Sequence, residues 1–166
     1  MKPALIIALL GLAFTANAAN PGAPKVGWSK DPASGCQFLS PRSLPAGPTY
    51  WIGACPGGKA DGLGVLRRRD GADAGEVFYG ELKDGVPVIG VIDTARGNQG
   101  GLIAGRWKDG DLATNEDNAW QDNADAFTAA SRAAQAASAV FKAQKNEASA
   151  RYYAQQAKML DEQMDR

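Results

Sequence analysis

Few side chains in this chain have the type and spacing to do chemistry. It contains no histidine, so the commonest general base and the commonest transition-metal ligand are missing. The carboxylates Asp61, Asp70, Asp73, Glu76, Asp84 and Asp109 mostly stand beside glycines. Aspartate favours such turn contexts for conformational reasons, and none of the six has an evident acid or base partner. "DGADAG" (70–75) resembles a calcium loop superficially, but lacks the ligand spacing and closing glutamate of an EF-hand. Ser34 and the serines of "SPRS" (40–43) have no base to activate them. "GGKADGLGVL" (57–66) combines glycines with a lysine, yet residues 62–66 read as strand and no Gly-Lys-Ser/Thr is present. It does not fit a phosphate cradle. The expectation is no catalytic residue, no metal ligand and no cofactor.

One charged run remains. Arg67, Arg68 and Arg69 close an apolar stretch just before a "DG" turn. One reading is an anion contact to a lipid headgroup, a cell-wall polymer or an acidic protein. The other is a solvated hairpin end, because short charge runs commonly face water. Strand alternation keeps the three from all facing one way.

The two cysteines, Cys36 and Cys55, belong to a different argument. The chain starts with Met1-Lys2, an apolar run over residues 4–14 and a small-residue site ending Ala16-x-Ala18. That is the pattern of a secretory signal peptide, read as residues 1–18 and cleaved after Ala18, with Ala19 as the second choice of site. An uncleaved anchor is the competing reading, but the apolar run is short for a bilayer span. Export to a periplasm or extracellular space follows. In that compartment an even cysteine pair is most simply one disulfide, worth about 3 kcal/mol in the chain-entropy model. With 18 basic and 18 acidic residues the formal charge is zero, and no nucleic-acid partner is expected.

The elements that would carry these residues fall into zones. Residues 19–34 are rich in Pro, Gly, Ala and Ser and read as a flexible leader. Residues 35–110 are glycine-rich with short apolar runs, residues 111–118 form a polar connector, and residues 119–165 lack Pro and Gly and favour helix. The glycine-rich zone repeats. "WIGACPGG", "FYGELKDG" and "IAGRWKDG" align, with first glycines Gly53, Gly80 and Gly105 spaced by 27 and 25 residues. The closing glycines Gly58, Gly85 and Gly110 keep those spacings. Alternation places Trp51, Gly53 and Cys55 on one face, as it does Phe78, Gly80 and Leu82, and Ile103, Gly105 and Trp107. Each unit sets a glycine between two larger groups, which leaves room for a neighbouring ring. A turn then reverses the chain at a hairpin. "GLGVLRRR" and "VPVIGVID" are the return strands of the first two units, and the third has none evident.

This pattern resembles the MORN repeat, the membrane occupation and recognition nexus motif. Trp51, Gly53, Gly58, Gly62 and Gly64 match its spacing, with Cys55 where the family usually has an aromatic. The second unit matches at Phe78, Gly80, Leu82 and Gly85, then has Ile89 and Val91 where paired glycines belong. The third matches at Ile103, Gly105, Trp107 and Gly110. The resemblance implies an antiparallel single-layer β-meander of about three hairpin units, here followed by a long C-terminal helix. It also implies a binding, scaffolding or dimerising role, with phospholipid contact in some members.

The helical zone bears on the last point. Trp120, Phe127, Ala134, Phe141 and Ala148 recur every seven residues. The stripe is too alanine-rich for a strong coiled coil. Packing of its first half on the open sheet is the preferred reading, and a homodimer through the helix is the alternative. The functional expectation is therefore an exported, non-enzymatic protein-binding module serving envelope assembly or neutralising a toxin or hydrolase. The alternative is a scaffold on membrane lipid or cell wall that uses the arginines. Exposed sheet aromatics would favour the first, and a contiguous basic patch the second.

Overall fold

The computed structural model describes residues 27–94, 101–113 and 116–164. The signal peptide expected at residues 1–18 lies outside the described residues. The described residues form eight strands and then two α-helices: β1 (Trp28–Lys30), β2 (Gln37–Leu39), β3 (Thr49–Ala54), β4 (Asp61–Asp70), β5 (Asp73–Lys83), β6 (Val86–Asp93), β7 (Leu102–Lys108), β8 (Asp111–Leu112), α1 (Ala119–Ala143) and α2 (Glu147–Asp161). Strands β3 to β8 make one six-stranded antiparallel meander in sequence order, and β1 pairs with β2. The expected meander followed by helix is what the chain adopts.

The repeat glycines fall into register. Gly64 lies opposite Gly80, Gly80 opposite Gly90, and Gly90 opposite Gly105. A glycine furrow thus crosses four strands. Beside it runs a second row, Trp51, Leu66, Phe78, Ile92 and Ile103, paired strand by strand. The rings of this row lie down into the furrow. A Cβ on Gly64 would press against the Trp51 ring, and one on Gly80 or Gly90 would stand 2.6 or 2.8 Å from the tip of Phe78. The glycines are therefore sites of close packing, as the alternation predicted. Phe78 also meets Trp107 edge to face at 5.9 Å between ring centroids.

Two hairpins turn on Asp84-Gly85 and Asp109-Gly110. All four residues have positive φ, between 50° and 85°, the geometry of the two-residue turn that matches strand twist. The third repeat unit, which turns on Asp109-Gly110, has a return strand after all. β8 is two residues long, pairs Leu112 with Trp107, and lays Leu112 over Gly105. The first two residues of the expected connector thus belong to the sheet.

Two cores sit on opposite faces. On the furrow face, Trp51, Leu66, Phe78, Leu82, Ile92 and Trp107 are covered by Cys36, Phe38 and Leu44 from the N-terminal segment. Cys36 is bonded to Cys55. The segment also runs as a strap across the hairpin ends. Gln37 O accepts from Ala60 N at 3.0 Å, Leu39 N donates to Gly85 O at 2.7 Å, and Arg42 N donates to Gly110 O at 2.9 Å. The expected flexible leader accordingly ends earlier than residue 34. Residues 28–30 are strand, and Asp31 holds the turn that follows. The cause is the strap's backbone pairing, which composition does not reveal.

On the other face, Val65, Val77, Tyr79, Ile89 and Val91 meet a run of buried alanines from α1 together with Tyr153, Ala157 and Leu160 of α2. The helix packs on the sheet, as preferred above. It folds as two helices rather than the one long helix expected. The chain reverses at Lys145, which has φ 59°, and Asn146 caps α2 by accepting from Ser149 N at 3.1 Å. Ser131 and Ser138 donate to carbonyls of Ala157 and Ala150 and hold the helices together. Arg106 of β7 pairs with Asp122 and Asp125 of α1. Among the described residues, no helix is long and apolar enough to cross a membrane.

Candidate functional site

The three arginines diverge. Arg67 follows Val65 by two on β4, so it points to the helix face. There it is 6% exposed, and its guanidinium donates to Tyr152 Oη at 2.8 Å, Tyr79 Oη at 3.3 Å and Gly75 O at 3.5 Å. It also stands over the rings of Tyr152 and Tyr153, at 5.2 and 5.7 Å from their centroids. Arg68 points to the other face. It lies against Gly47 and Gly75, ion-pairs with Asp70 at 2.7 Å, and keeps its Nε buried without a hydrogen-bond partner. A bulge between Arg67 and Arg69 precedes Arg69, which is exposed.

No carboxylate among the described residues lies within ion-pair distance of Arg67. Burial works against its charge, but the oxygens of Tyr153, Tyr79 and Tyr152 more than offset this, so its pKa lies above the ordinary value. Burial also pushes the Tyr79 and Tyr153 phenols up, against the attraction of Arg67. The cluster is thus a fixed cation among neutral phenols.

Arg67, alone of this cluster, also lines a cleft of about 490 Å³ at the open edge of the sheet. Its lining includes Arg67, Arg69, Tyr50 and Ile52 from the sheet, Phe141 from the end of α1, and Asp31 from the N-terminal turn. The size is that of an ordinary ligand pocket. Asp31 is a poor counter-ion for the arginines because its oxygens are already engaged. Oδ1 accepts from Ala33 N at 2.7 Å and Ser34 N at 3.2 Å, and Oδ2 accepts from Trp51 N at 3.0 Å. Burial pushes this carboxyl up, but the hydrogen bonds outweigh it and hold the pKa below the ordinary value. The same contact occupies an outward amide of edge strand β3.

The remaining sequence-predicted residues are structural. Trp51, Gly53, Gly64, Phe78, Gly80, Leu82, Ile103, Gly105 and Trp107 build the furrow face, while Gly58, Gly85 and Gly110 serve the turns. Gly62 opens β4. Asp61 accepts from Asp84 N at 3.0 Å, which is turn support. Among the described residues no group of three His, Cys, Asp or Glu gathers as metal ligands. The sheet aromatics Trp51, Phe78, Tyr79 and Trp107 are buried, and the basic run is divided between faces. Neither of the two expected discriminators is met in its simple form. The exposed tryptophans lie off the six-stranded sheet, at Trp28 and Trp120, which are 53% and 75% exposed.

Sequence reasoning missed Asp31, Tyr79, Tyr152 and Tyr153. Asp-Pro at 31–32 signals a turn, but nothing local ties that turn to β3. The meeting of β4 with α2 joins residues 85 apart in sequence. Comparison of the chain with protein-family models, with curated proteins and with solved structures gives no match.

Proposed function

We propose that this chain is an exported, non-enzymatic binding protein of MORN-repeat type, which engages a protein partner in the cell envelope through the cleft beside β3. The observation that carries the reading is the buried Arg67 charge, held by tyrosines and without a carboxylate in ion-pair distance among the described residues. A cation taken out of water without an opposite charge is costly, and a partner's acidic group would complete the pair. The disulfide and the lack of a membrane-spanning helix among the described residues are compatible with an exported protein. Both sheet faces are already used for packing, which leaves edges and rims as binding surfaces.

The test is affinity capture from envelope extract with the mature, oxidised protein and with an Arg69→Glu variant. The reading expects a protein retained by the first and released by the second. Retention of the protein by anionic lipid vesicles or cell-wall material alone would transfer support to the scaffold reading. A homodimer through the helices is a separate expectation, checked by sedimentation of the same protein in an ultracentrifuge as a monomer or dimer.

A further inference from the structure

We infer that the cleft between β3 and the end of α1 receives an acidic side chain of the partner polypeptide, flanked by an apolar residue. This deepens the binding reading above and rests on it. Three features select that chemistry. The first is donor geometry. A guanidinium carries five donors in a planar fork suited to carboxylate. Those of Arg67 that have described partners go to phenol and carbonyl oxygens, all neutral acceptors. Arg69, on the rim of the same cleft, adds a second cation.

The second feature is the wall. Ile52 and Phe141 are partly buried apolar residues on the helix-side core, and Val140 beside them is 37% exposed. These give an apolar neighbour of the carboxylate a surface to cover. Phe141 is itself fixed by stacking on Tyr153, with ring centroids 5.4 Å apart and an interplanar angle of 2°. The apolar wall and the cationic floor are therefore joined through one tyrosine.

The third feature is what the cleft refuses. An extended peptide adding to the β3 edge needs the outward amides of that strand. The amide of Trp51 already donates to Asp31, so strand addition is blocked at its middle. Recognition then falls to side chains entering the cleft. Asp31 also lines the cleft, and its engaged carboxylate repels a second acid, which favours a position at Arg67 and Arg69.

The experiment is a titration of the mature, oxidised chain with two capped peptides, acetyl-Phe-Glu-Phe-amide and acetyl-Phe-Gln-Phe-amide. Binding is followed by NMR through the arginine Nε–H signals and the Trp51 indole. The glutamate peptide is expected to bind at least about tenfold more tightly, the scale of one charge-assisted pair. Arg69→Gln should reduce that preference by several-fold. Arg67→Met should abolish it, and because that change touches packing, Arg69→Gln at the exposed rim is the decisive variant. Equal binding of the two peptides, or no binding of either, overturns the inference. So does tighter binding of phenyl phosphate or of phosphatidylglycerol vesicles. If Arg69→Gln captures the same envelope protein as the unchanged chain, the carboxylate site falls while the binding reading stands.

Discussion

The face of the sheet that carries Gly64, Gly80, Gly90 and Gly105 takes its bulk from the sheet's own rings, which lie along it over the glycines. The opposite face points Val65, Val77, Tyr79 and Val91 outward, and the helices meet them mainly with alanines. Large groups and small ones have exchanged partners between the two faces. On the furrow side the small residues are in the sheet, and on the helix side they are in the covering layer. Each arrangement lets backbones approach closely, but the tolerance differs. A furrow glycine has neighbouring backbone on the next strand, which cannot move alone. A helix alanine faces a layer that can shift slightly as a body.

This contrast can be tested by moving one methyl group on each side. Gly80→Ala would set a Cβ against Ile89 O and 2.8 Å from Gly90 Cα. Overpacking against backbone should cost about 3 kcal/mol, seen as a lower midpoint in urea unfolding. If the loss were under about 1 kcal/mol, the furrow would not be the tight side. Reduction of Cys36–Cys55, which spans 19 residues, attacks the cover of that face and should cost nearly as much, about 3 kcal/mol. Its measurement is the shift in melting temperature with and without reductant. Ala134→Gly removes a buried methyl from α1. Lost burial and lost helix propensity together should amount to about 2 kcal/mol, measured in the same urea series.

Two smaller effects sharpen the electrostatic side of the comparison. Tyr79 and Tyr153 have raised pKa values on the helix face, from an ordinary value of 10. Above that pH the unfolded chain releases protons that the folded chain retains, so stability should fall as pH rises beyond about 10. Tyr79→Phe should cost about 1 kcal/mol at neutral pH through its lost hydrogen bonds, and should blunt the alkaline decline. A phenol absorbance titration beside a circular dichroism melt reads both. Asp31 behaves in the opposite sense. Its folded pKa lies below the ordinary 3.8, so its stabilisation is intact above that pH and is lost as pH falls through the folded value. Asp31→Asn should flatten this acid limb, and an unchanged acid denaturation curve would remove Asp31 as its source.

Periodic features were legible in the sequence, and those set by loop length or distant meetings were not. The faces of Trp51, Phe78 and Trp107 followed from alternation alone. The pairing of Gly90 with Gly80 did not, because the first hairpin turns through the short helix Pro56–Gly58 while the second turns on two residues. That moves the matching glycine by one position, from the expected Ile89 or Val91 to Gly90. The break between α1 and α2 lacks Gly or Pro, and its signal was Asn146-Glu147, a cap followed by an acid in the first turn. Arg67 was visible as a residue of the Val65 face. Its tyrosine surroundings were not, since they come from α2.

The strap has a consequence for how such an array can change length. Repeat sheets ordinarily lengthen by duplication, because each unit touches only its neighbours. Here one short segment takes hold of three successive hairpin ends, at Ala60, Gly85 and Gly110. A duplicated unit would present a fourth end that the strap has no residue to meet. A deleted unit would leave part of the strap without a backbone partner. The N-terminal segment therefore acts as a gauge for the array, and any change in repeat number would require a matching change in a part of the gene that carries no repeat.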